Sequence, residues 1–295
     1  MNARELPILL SLSPEHPLIP SLLSHSAFEY GELLRHDFPD QETLIDILSP
    51  VKNRCVWLLE SFDQANRKIL PALFVAKTAK MLGANSVSLI APYLAYMRQD
   101  TQFSPGQGIS SRYFAELLSS DFDNLITVDP HLHRWHNLDQ IFTIPTQTVH
   151  ASQAIANWIS QHVMNPLLIG PDSESNQWVD ALQKITNFPS VVLSKTRKGD
   201  QEVHVTMADL QHYRDATPVL VDDIISTGVT MLDTLHQLKK FNIKPPVCIG
   251  VHAVFAGNAY QKLLESPIES LVTCNTIAHP SNAIDISAAI ISAIR

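Results

Sequence analysis

Short apolar runs alternate with stretches of helical period along most of the chain. In the first half, the runs PILLSL, VWLLES, SVSLIAPY and NLITVD predict strands, and the stretches around Lys68 to Met81 and Ser110 to Leu118 predict helices. In the second half, PLLIG, SVVLSK, TPVLVDD and PVCIGVHAVF predict strands with helices between them. Strands that alternate with crossover helices are typical of parallel sheets, so the pattern predicts an α/β fold.

The middle of the chain contains a clear amphipathic helix and the best candidate for a domain boundary. The segment ASQAIANWISQHVMNP places Ala151, Ile155 and Ile159 on one face and ends at an Asn-Pro stop, which is typical of a helix that faces a core. The proline-containing segment FTIPTQTVH precedes it and separates two series of strands and helices. We therefore predict domains at residues 1–147 and 148–284, with a C-terminal helix at 285–295 that packs back on the first domain.

Charge and composition disfavour several classes of protein. The formal net charge of −8, without a local block of Lys and Arg, disfavours a nucleic-acid partner. The apolar runs are too short for a membrane span, and the start LPILLSLS lacks the basic flank and cleavage site of a signal peptide. The three cysteines are far apart and indicate neither a disulfide framework nor a thiolate zinc site, so we expect a cytoplasmic protein.

The segment VLVDDIISTGVTMLDTL carries the strongest candidate chemistry. Val219 to Val221 predicts a buried strand, Met231 begins an apolar helical face, and residues 222–230 form the loop between them. A loop that leads into a helix offers backbone N–H groups to an anion, a glycine permits close approach, and carboxylates accept hydrogen bonds from vicinal hydroxyls. The sugar-phosphate site predicted here consists of Asp222, Asp223, Ser226, Thr227, Gly228, Val229 and Thr230.

Acidic residues follow several of the predicted strands. VDPH, GPDSES and VDDIISTG each place an acid just after an apolar run, and ligands of open parallel sheets bind beyond the carboxyl ends of the strands. An isolated acid pair followed by Thr227 would instead be an exposed turn and a helix cap. The order of strand, acids, hydroxyls, glycine and helix favours the binding site.

Several motifs together resemble the ribose-phosphate pyrophosphokinase (phosphoribosyl pyrophosphate synthetase) family. VLVDDIISTGVT resembles the phosphoribosyl pyrophosphate loop that this family shares with type I phosphoribosyltransferases, and APYLAYMRQDTQFSPGQGIS resembles the family's nucleotide segment. DFPDQE, VDPH, GPDSES and SKTRKGD follow the family's order, so the resemblance covers nearly the whole chain. It implies two phosphoribosyltransferase-like, Rossmann-like α/β domains with parallel sheets, related by internal duplication.

The resemblance also implies a reaction of nucleotide biosynthesis and a set of site residues. The reaction is transfer of the β,γ-diphosphoryl group of ATP to the anomeric hydroxyl of ribose 5-phosphate, with Mg²⁺ as cofactor. The implied ATP-binding residues are Arg98, Gln99 and Asp100, joined by Phe38, Asp40 and Glu42 of a neighbouring subunit, which implies a homodimer or higher homo-oligomer. The implied metal ligands are His131 and Asp172, and the implied catalytic cations are Lys195 and Arg197.

Two of these assignments have alternatives, and for His131 the simplest is a histidine that is hydrogen-bonded in a loop. Lys195 and Arg197 are separated by one residue, so both point to the same side if the segment is extended; the alternative is a solvated strand end. In HLHRWH, the residues His131, His133 and His136 suggest three imidazoles on zinc, but their spacing does not place them on one face of a strand or helix.

The chain also departs from the family's pattern. Val229 stands where relatives carry a second glycine, and Ser226 stands where many carry a third acid, a change typical of archaeal-like members. The segment 101–104 is neutral where relatives are basic, and Arg112 stands where a lysine is common. These departures leave one alternative function, a weak or inert family member that acts as a regulatory subunit. Because the phosphoribosyl pyrophosphate loop is shared, a phosphoribosyltransferase that consumes phosphoribosyl pyrophosphate is a second alternative.

Overall fold

The computed structural model describes residues 6–25, 27–171, 175–192, 196–198, 201–203, 213–241 and 243–294. The chain divides into two compact units, one of residues 1–149 with 287–295 and the other of residues 150–286. No helix among these described ranges is both long and apolar enough to cross a membrane.

The first unit is built around a parallel six-stranded sheet of the described residues, in the order β2-β1-β5-β6-β7-β8. Its strands are β1 (Ile8–Ser11), β2 (Glu29–Tyr30), β5 (Cys55–Leu59), β6 (Ser86–Ala91), β7 (Asn124–Val128) and β8 (Thr146–Val149). An antiparallel hairpin of β3 (Leu33–Asp37) and β4 (Thr43–Ile47) lies between β2 and β5 in the chain.

The described α-helices of the first unit are α1 (Leu18–Ser24), α2 (Ala65–Met81), α3 (Ser110–Asp121) and the C-terminal α8 (Ser287–Ile294). Two of them, α2 and α3, contribute to an apolar cluster of this unit. Ala72, Val75 and Ala76 of α2 and Phe114 and Leu118 of α3 are buried in this cluster. The C-terminal helix α8 contacts α1 and β8.

The second unit contains another parallel six-stranded sheet of the described residues, in the order β10-β9-β13-β14-β15-β16. Its strands are β9 (Pro166–Gly170), β10 (Ser190–Val192), β13 (Thr217–Ile225), β14 (Val247–Ala253), β15 (Ser270–Cys274) and β16 (Asn282–Ile284). Its α-helices include α4 (Ser152–His162), α5 (Asn176–Thr186), α6 (Val229–Leu238) and α7 (Ala259–Leu264). A short antiparallel hairpin of β11 (Thr196–Lys198) and β12 (Gln201–Val203) lies between β10 and β13 in the chain.

The two units share one topology. When the sheet strands of each unit are numbered separately along the chain, both sheets have the order 2-1-3-4-5-6. In both units an antiparallel hairpin separates the second and third of these strands in the chain. The structure therefore confirms the predicted α/β fold with parallel sheets, and the repeated topology agrees with an internal duplication.

The structure differs from the sequence prediction at polar strands. Part of FTIPTQTVH, interpreted as a connector, forms β8, which pairs in parallel with β7 at the edge of the sheet. Its sequence TQTV lacks the continuous apolar run of a buried parallel strand, so the pattern did not reveal it. The hairpin of β3 and β4 was missed for the same reason, because exposed and partly buried side chains alternate along its strands.

Candidate active site

The predicted sugar-phosphate loop is shorter than the sequence indicated. β13 continues through Ile225, because Asp222 pairs with Gly250 and Ile224 with His252 of the neighbouring β14. Helix α6 begins at Val229, two residues before the predicted Met231. Asp222 and Asp223 therefore lie in the strand, Thr230 lies in the helix, and only residues 226–228 connect the two elements.

The acid pair is held by the backbone of its own strand. One carboxylate oxygen of Asp222 accepts the N–H of Asp223 at 3.0 Å, and Oδ1 of Asp223 accepts the N–H of Ile224 at 2.7 Å. Asp223 is buried and Asp222 is half-buried. Local hydrogen bonds of this kind fix the direction of both carboxylates at the carboxyl end of the strand.

Gly228 makes the turn into α6. It caps the helix with a φ of +73°, a left-handed conformation that a glycine adopts without strain. A Cβ at this position would lie 3.4 Å from Cδ1 of Leu263, so the backbone angle rather than space requires glycine. Val229 is the first residue of the helix, and its side chain is 58% exposed. The positive φ falls on Gly228, so Val229 does not strain this loop.

The segment after β14 braces the loop from its other side. The N–H of Phe255 donates to the carbonyl of Ile225 at 2.8 Å, and the N–H of Ala256 donates to the carbonyl of Ser226 at 3.0 Å. Phe255 itself has a φ of +39°, an uncommon conformation for a bulky residue. Sequence reasoning missed this brace because it joins residues about 30 positions apart through backbone atoms alone.

Buried polar groups fix the strand ends beside this loop. The hydroxyl of Thr276 donates to the carbonyl of Val251 at 2.8 Å, so its oxygen accepts a hydrogen bond from Nδ1 of His252 at 2.9 Å. This arrangement requires the tautomer of His252 with a proton on Nδ1. His252 is buried beside Ile224 of β13, so the contact orders the carboxyl end of the sheet under the loop.

The predicted nucleotide segment follows β6 in the first unit. Arg98 and Gln99 are exposed, whereas Asp100 is buried. The N–H of Gln99 donates to the carbonyl of Tyr96 at 2.9 Å, and Tyr96 has a φ of +63°. The structure therefore presents the arginine and the amide to solvent and turns the third residue of the predicted triplet inward.

The segment after β7 carries the predicted metal ligand His131. Asp129, two residues earlier, is buried and has a φ of +36°, and its N–H donates to the carbonyl of Val149 at 3.0 Å. Left-handed Tyr96, Asp129 and Phe255 all follow parallel strands at their carboxyl ends, which is where strained backbone accompanies function in many proteins. The sequence signal for Asp129 was the acid that ends the run NLITVD.

The predicted adenine-contacting residues lie at the tip of the β3–β4 hairpin. Phe38, Asp40 and Glu42 are exposed in the turn, and the N–H of Phe38 donates to the carbonyl of Glu42 at 2.8 Å. The N–H of Glu42 donates to Oδ1 of Asp40 at 3.2 Å. The structure thus brings these three residues together on one turn.

The remaining predicted site residues are Asp172, Lys195 and Arg197. Lys195 and Asp172 lie outside the described residues, and Arg197 lies in β11, where its backbone position pairs with Glu202. Within the described part of the chain, no group of three His, Cys, Asp or Glu side chains is placed to hold a metal ion. His131, His133 and His136 are all described, so the structure does not bring these three histidines together as a metal site.

The first unit carries an ion-pair cluster at the position that corresponds to the sugar-phosphate loop. β5 is the third sheet strand of its unit, as β13 is of the other, and the fully buried Glu60 follows it. The ammonium of Lys68 contacts Glu60 at 2.9 Å and Asp63 at 2.5 Å, and it donates to the carbonyl of Ser61 at 2.8 Å. Burial raises the pKa of Glu60, and the two carboxylates raise the pKa of Lys68 despite its own burial.

Comparison with known proteins identifies the relatives of each half of the chain. A model of the N-terminal domain of ribose phosphate pyrophosphokinase matches residues 8–121, and a model of the phosphoribosyl transferase domain matches residues 145–289. The match to the first model distinguishes the chain from a simple phosphoribosyltransferase. It favours the pyrophosphokinase function over that alternative.

Curated and structural relatives agree with these matches. A ribose-phosphate pyrophosphokinase of Saccharolobus solfataricus is 30% identical over 81% of this chain and 82% of its own length. One of Methanobrevibacter smithii is 26% identical over 93% of this chain and 96% of its own length. The crystal structure of phosphoribosylpyrophosphate synthetase from Mycobacterium smegmatis matches with a TM-score of 0.84 at 21% identity, over 99% of this chain and 98% of that chain, which supports the fold. The chain belongs to the ribose-phosphate pyrophosphokinase family.

Proposed function

We propose that this chain transfers the β,γ-diphosphoryl group of ATP to ribose 5-phosphate. The anomeric hydroxyl oxygen forms a bond to the β-phosphorus, the bond between that phosphorus and the oxygen bridging to the α-phosphate breaks, and the hydroxyl proton is released. The products are phosphoribosyl pyrophosphate and AMP. The observation that carries the proposal is the run of acid pair, Gly228 turn and helix N-terminus at the carboxyl end of β13.

Ribose 5-phosphate binds at this turn. The carboxylates of Asp222 and Asp223 accept hydrogen bonds from the ribose hydroxyls, because an ionised carboxylate is a strong acceptor. The 5-phosphate lies at the N-terminus of α6, where unpaired backbone N–H groups and the helix dipole favour an anion. Ser226, Thr227 and Thr230 add hydroxyl donors to this phosphate site.

ATP binds at the carboxyl edge of the first sheet. Exposed Arg98 and Gln99 provide a guanidinium plane that stacks on adenine and an amide that hydrogen bonds to its edge. The tip of the β3–β4 hairpin of a neighbouring subunit completes the adenine and ribose contacts through Phe38, Asp40 and Glu42. Exposed apolar residues on the same hairpin, including Leu34 at 56% and Leu44 at 48%, support a contact with another copy of the chain.

Mg²⁺ is the expected cofactor. Hard cations prefer oxygen ligands, and Asp222 and Asp223 offer carboxylate oxygens at the proposed ribose site. His131 and Asp172 would hold the ion that accompanies ATP. When bound, Mg²⁺ neutralises charge on the phosphoryl oxygens. Lys195 and Arg197 contribute fixed positive charge to the same oxygens as the β-phosphorus is attacked.

We also propose that the chain functions in the cytoplasm as domains of residues 1–147 and 148–284, with the helix at 285–295 joining the first. Cys55, Cys248 and Cys274 are not joined in disulfide bonds, which suits a reducing compartment. The contact of α8 with α1 and β8 supports the placement of that helix.

Steady-state kinetics of site variants test the assignment of the two substrates. Asp223→Asn removes charge from the sugar site, so we expect at least about a 10-fold increase in the KM for ribose 5-phosphate and a smaller change for ATP. Arg98→Ala should instead increase the KM for ATP, with a smaller change in the KM for ribose 5-phosphate.

Lys195→Ala should lower kcat by about 100-fold or more, because fixed cations act on charge that develops in the transition state. Undiminished turnover of Lys195→Ala would contradict its assignment as a catalytic cation.

A further inference from the structure

The segment HLHRWH, residues 131–136, contacts the nucleotide segment through Arg134. The guanidinium Nη1 of Arg134 lies 2.7 Å from Oδ1 of Asp100, and the backbone N–H of Arg134 donates to Oδ2 of Asp100 at 3.0 Å. The side chain of Asp100 is only 1% exposed, whereas that of Arg134 is 46% exposed. One residue of the segment thus engages both oxygens of a buried carboxylate.

Two further contacts join the same parts of the first unit. Nε1 of Trp135 donates to the hydroxyl of Ser111 at 3.2 Å, in the first turn of α3. The N–H of Ser111 donates to the carbonyl of Gln99 at 3.2 Å. The guanidinium of Arg112 lies 4.9 Å from the centroid of the Trp135 ring, a cation–π distance. The nucleotide segment, the start of α3 and the segment after β7 are therefore joined pairwise.

These contacts give Asp100 a role different from that of its neighbours. A buried carboxylate is stable only when charge and hydrogen bonds satisfy it, and here Arg134 supplies both. A carboxylate engaged in this way is held away from solvent and offers little to a polyanionic nucleotide. Arg98 and Gln99, by contrast, are exposed on the same segment.

We propose that Asp100 and Arg134 form a positioning pair. The pair holds the segment that carries His131 against the segment that carries Arg98 and Gln99, so that the metal-ligand side and the nucleotide-contacting side of the site are fixed relative to each other. The inference rests on the proposed function for what these neighbours bind. Arg134 itself does not touch substrate in this proposal.

Arginine suits position 134 better than lysine would. Its planar fork reaches a carboxylate while its own backbone N–H binds the second oxygen, and its Cζ lies 5.4 Å from the centroid of the Phe103 ring. A lysine retains the charge but not the fork or the stacking. We therefore expect Arg134→Lys to restore part, but not all, of what Arg134→Gln loses.

Kinetics and hydrogen exchange test the pair. Outer groups that orient metal ligands typically change affinity or activity by about 10- to 100-fold, so we expect Arg134→Gln to lower kcat/KM for Mg-ATP by that factor. The free Mg²⁺ needed for half-maximal rate should rise at least about 3-fold, and the KM for ribose 5-phosphate should change less than about 2-fold. In a double variant, Asp100→Asn with Arg134→Gln, kcat/KM for Mg-ATP should be no lower than in the more impaired single variant. Each single variant already removes the same ion pair, so the second substitution has no further pair to break.

Amide hydrogen exchange of the ligand-free chain provides a readout that does not depend on turnover. In Arg134→Gln we expect peptides covering residues 130–137 to exchange at least about 10-fold faster, while peptides of α2 are unchanged. Arg54→Gln is the matched control, because Arg54 forms an ion pair of the same 2.7 Å length with Glu29 away from these segments. That variant should leave both the kinetics and the exchange of residues 130–137 unaltered.

The outcomes separate this inference from the proposed function. Wild-type exchange at residues 130–137 in Arg134→Gln, or strictly multiplicative losses in the double variant, would overturn the positioning pair even if the enzyme is active. A wild-type chain that makes no phosphoribosyl pyrophosphate would refute the function. In that case, faster exchange in Arg134→Gln together with weaker binding of a Mg-ATP analogue would support the pair, and unchanged binding would contradict it.

Discussion

Gly228 and Val229 meet different structural requirements where residues 226–228 connect β13 to α6, a connection that we call the phosphate turn because we propose that the 5-phosphate binds there. The left-handed angle is met by Gly228, and Val229 begins a helix with its side chain largely in solvent. The chain therefore keeps the backbone shape of the turn without a second glycine. The residue that departs from the family's pattern stands where the local structure imposes the weaker constraint.

Substitutions at these two positions should have unequal effects. Gly228→Val forces a β-branched residue into a left-handed conformation, so we expect a loss of about 1–3 kcal/mol in unfolding free energy and a large rise in the KM for ribose 5-phosphate. Val229→Gly should change that KM by less than about 3-fold, since only helix propensity is altered. Urea unfolding and initial-rate kinetics measure both effects. Equal impairment by the two substitutions would contradict this division.

We expect His279 to make the second unit sensitive to acid. Burial lowers the pKa of His279 below its ordinary 6.5, and the N–H of Ser281 donates to its Nδ1 at 3.2 Å, a bond that needs the unprotonated nitrogen. The ring also contacts Phe255, the residue that braces the phosphate turn, at 4.5 Å between centroids. Protonation therefore opposes the folded arrangement at the loop.

The sign of the pH effect follows from the lowered pKa. The unfolded chain binds a proton at His279 more readily than the folded chain, so the stability that the neutral ring contributes is present above about pH 6.5 and is lost as pH falls through the lower folded pKa. Thermal unfolding should show a smaller loss of Tm on acidification in His279→Asn, whose amide oxygen can replace Nδ1 as acceptor. An identical pH dependence in wild type and variant would contradict the assignment.

Among the elements, buried parallel strands were predictable and the β3–β4 hairpin was not. Runs such as PLLIG and SVSLIA form strands that are almost entirely buried, and their apolar residues stand out in the sequence. The strands of the β3–β4 hairpin, LLRHD and TLIDI, contain polar residues among the apolar ones, so only the turn DFPDQE was singled out in the sequence. The acid pair and glycine of the phosphate turn were found because they are adjacent in sequence. The Asp100–Arg134 contact was missed because it joins residues far apart in sequence, and sequence pattern reports local order only.

The β3–β4 hairpin should be required for assembly. Replacing both exposed leucines, Leu34→Glu with Leu44→Glu, places charge on the proposed contact with another subunit, so we expect a smaller oligomer and a higher KM for ATP. The exposure of both side chains predicts little change in Tm. Sedimentation velocity measures the assembly, with Met164→Glu, at an 85% exposed position of the second unit, as control. Unchanged sedimentation and ATP kinetics would argue against a site shared through this hairpin.

At the scale of the whole molecule, the two units share one topology but carry different residues at the ends of corresponding strands. The third sheet strand of the second unit leads through Asp222 and Asp223 into an open turn at a helix N-terminus. The third sheet strand of the first unit leads to Glu60, which forms an ion pair with Lys68 of the same unit. The first unit instead presents Arg98 and Gln99 after its next strand and the exposed turn of its hairpin. Duplication of a fold with different loops at the same strand ends would account for the sugar-phosphate site that we propose in one unit and the nucleotide site that we propose in the other.

The most direct test of the account is the identity of the products. Purified chain is incubated with Mg²⁺, ATP and ribose 5-phosphate, and the phosphorus compounds are followed by ³¹P NMR. We predict that AMP and phosphoribosyl pyrophosphate form in equal amounts, that no ADP appears, and that omission of ribose 5-phosphate abolishes both products. Formation of ADP, or no consumption of ATP under these conditions, would contradict the account.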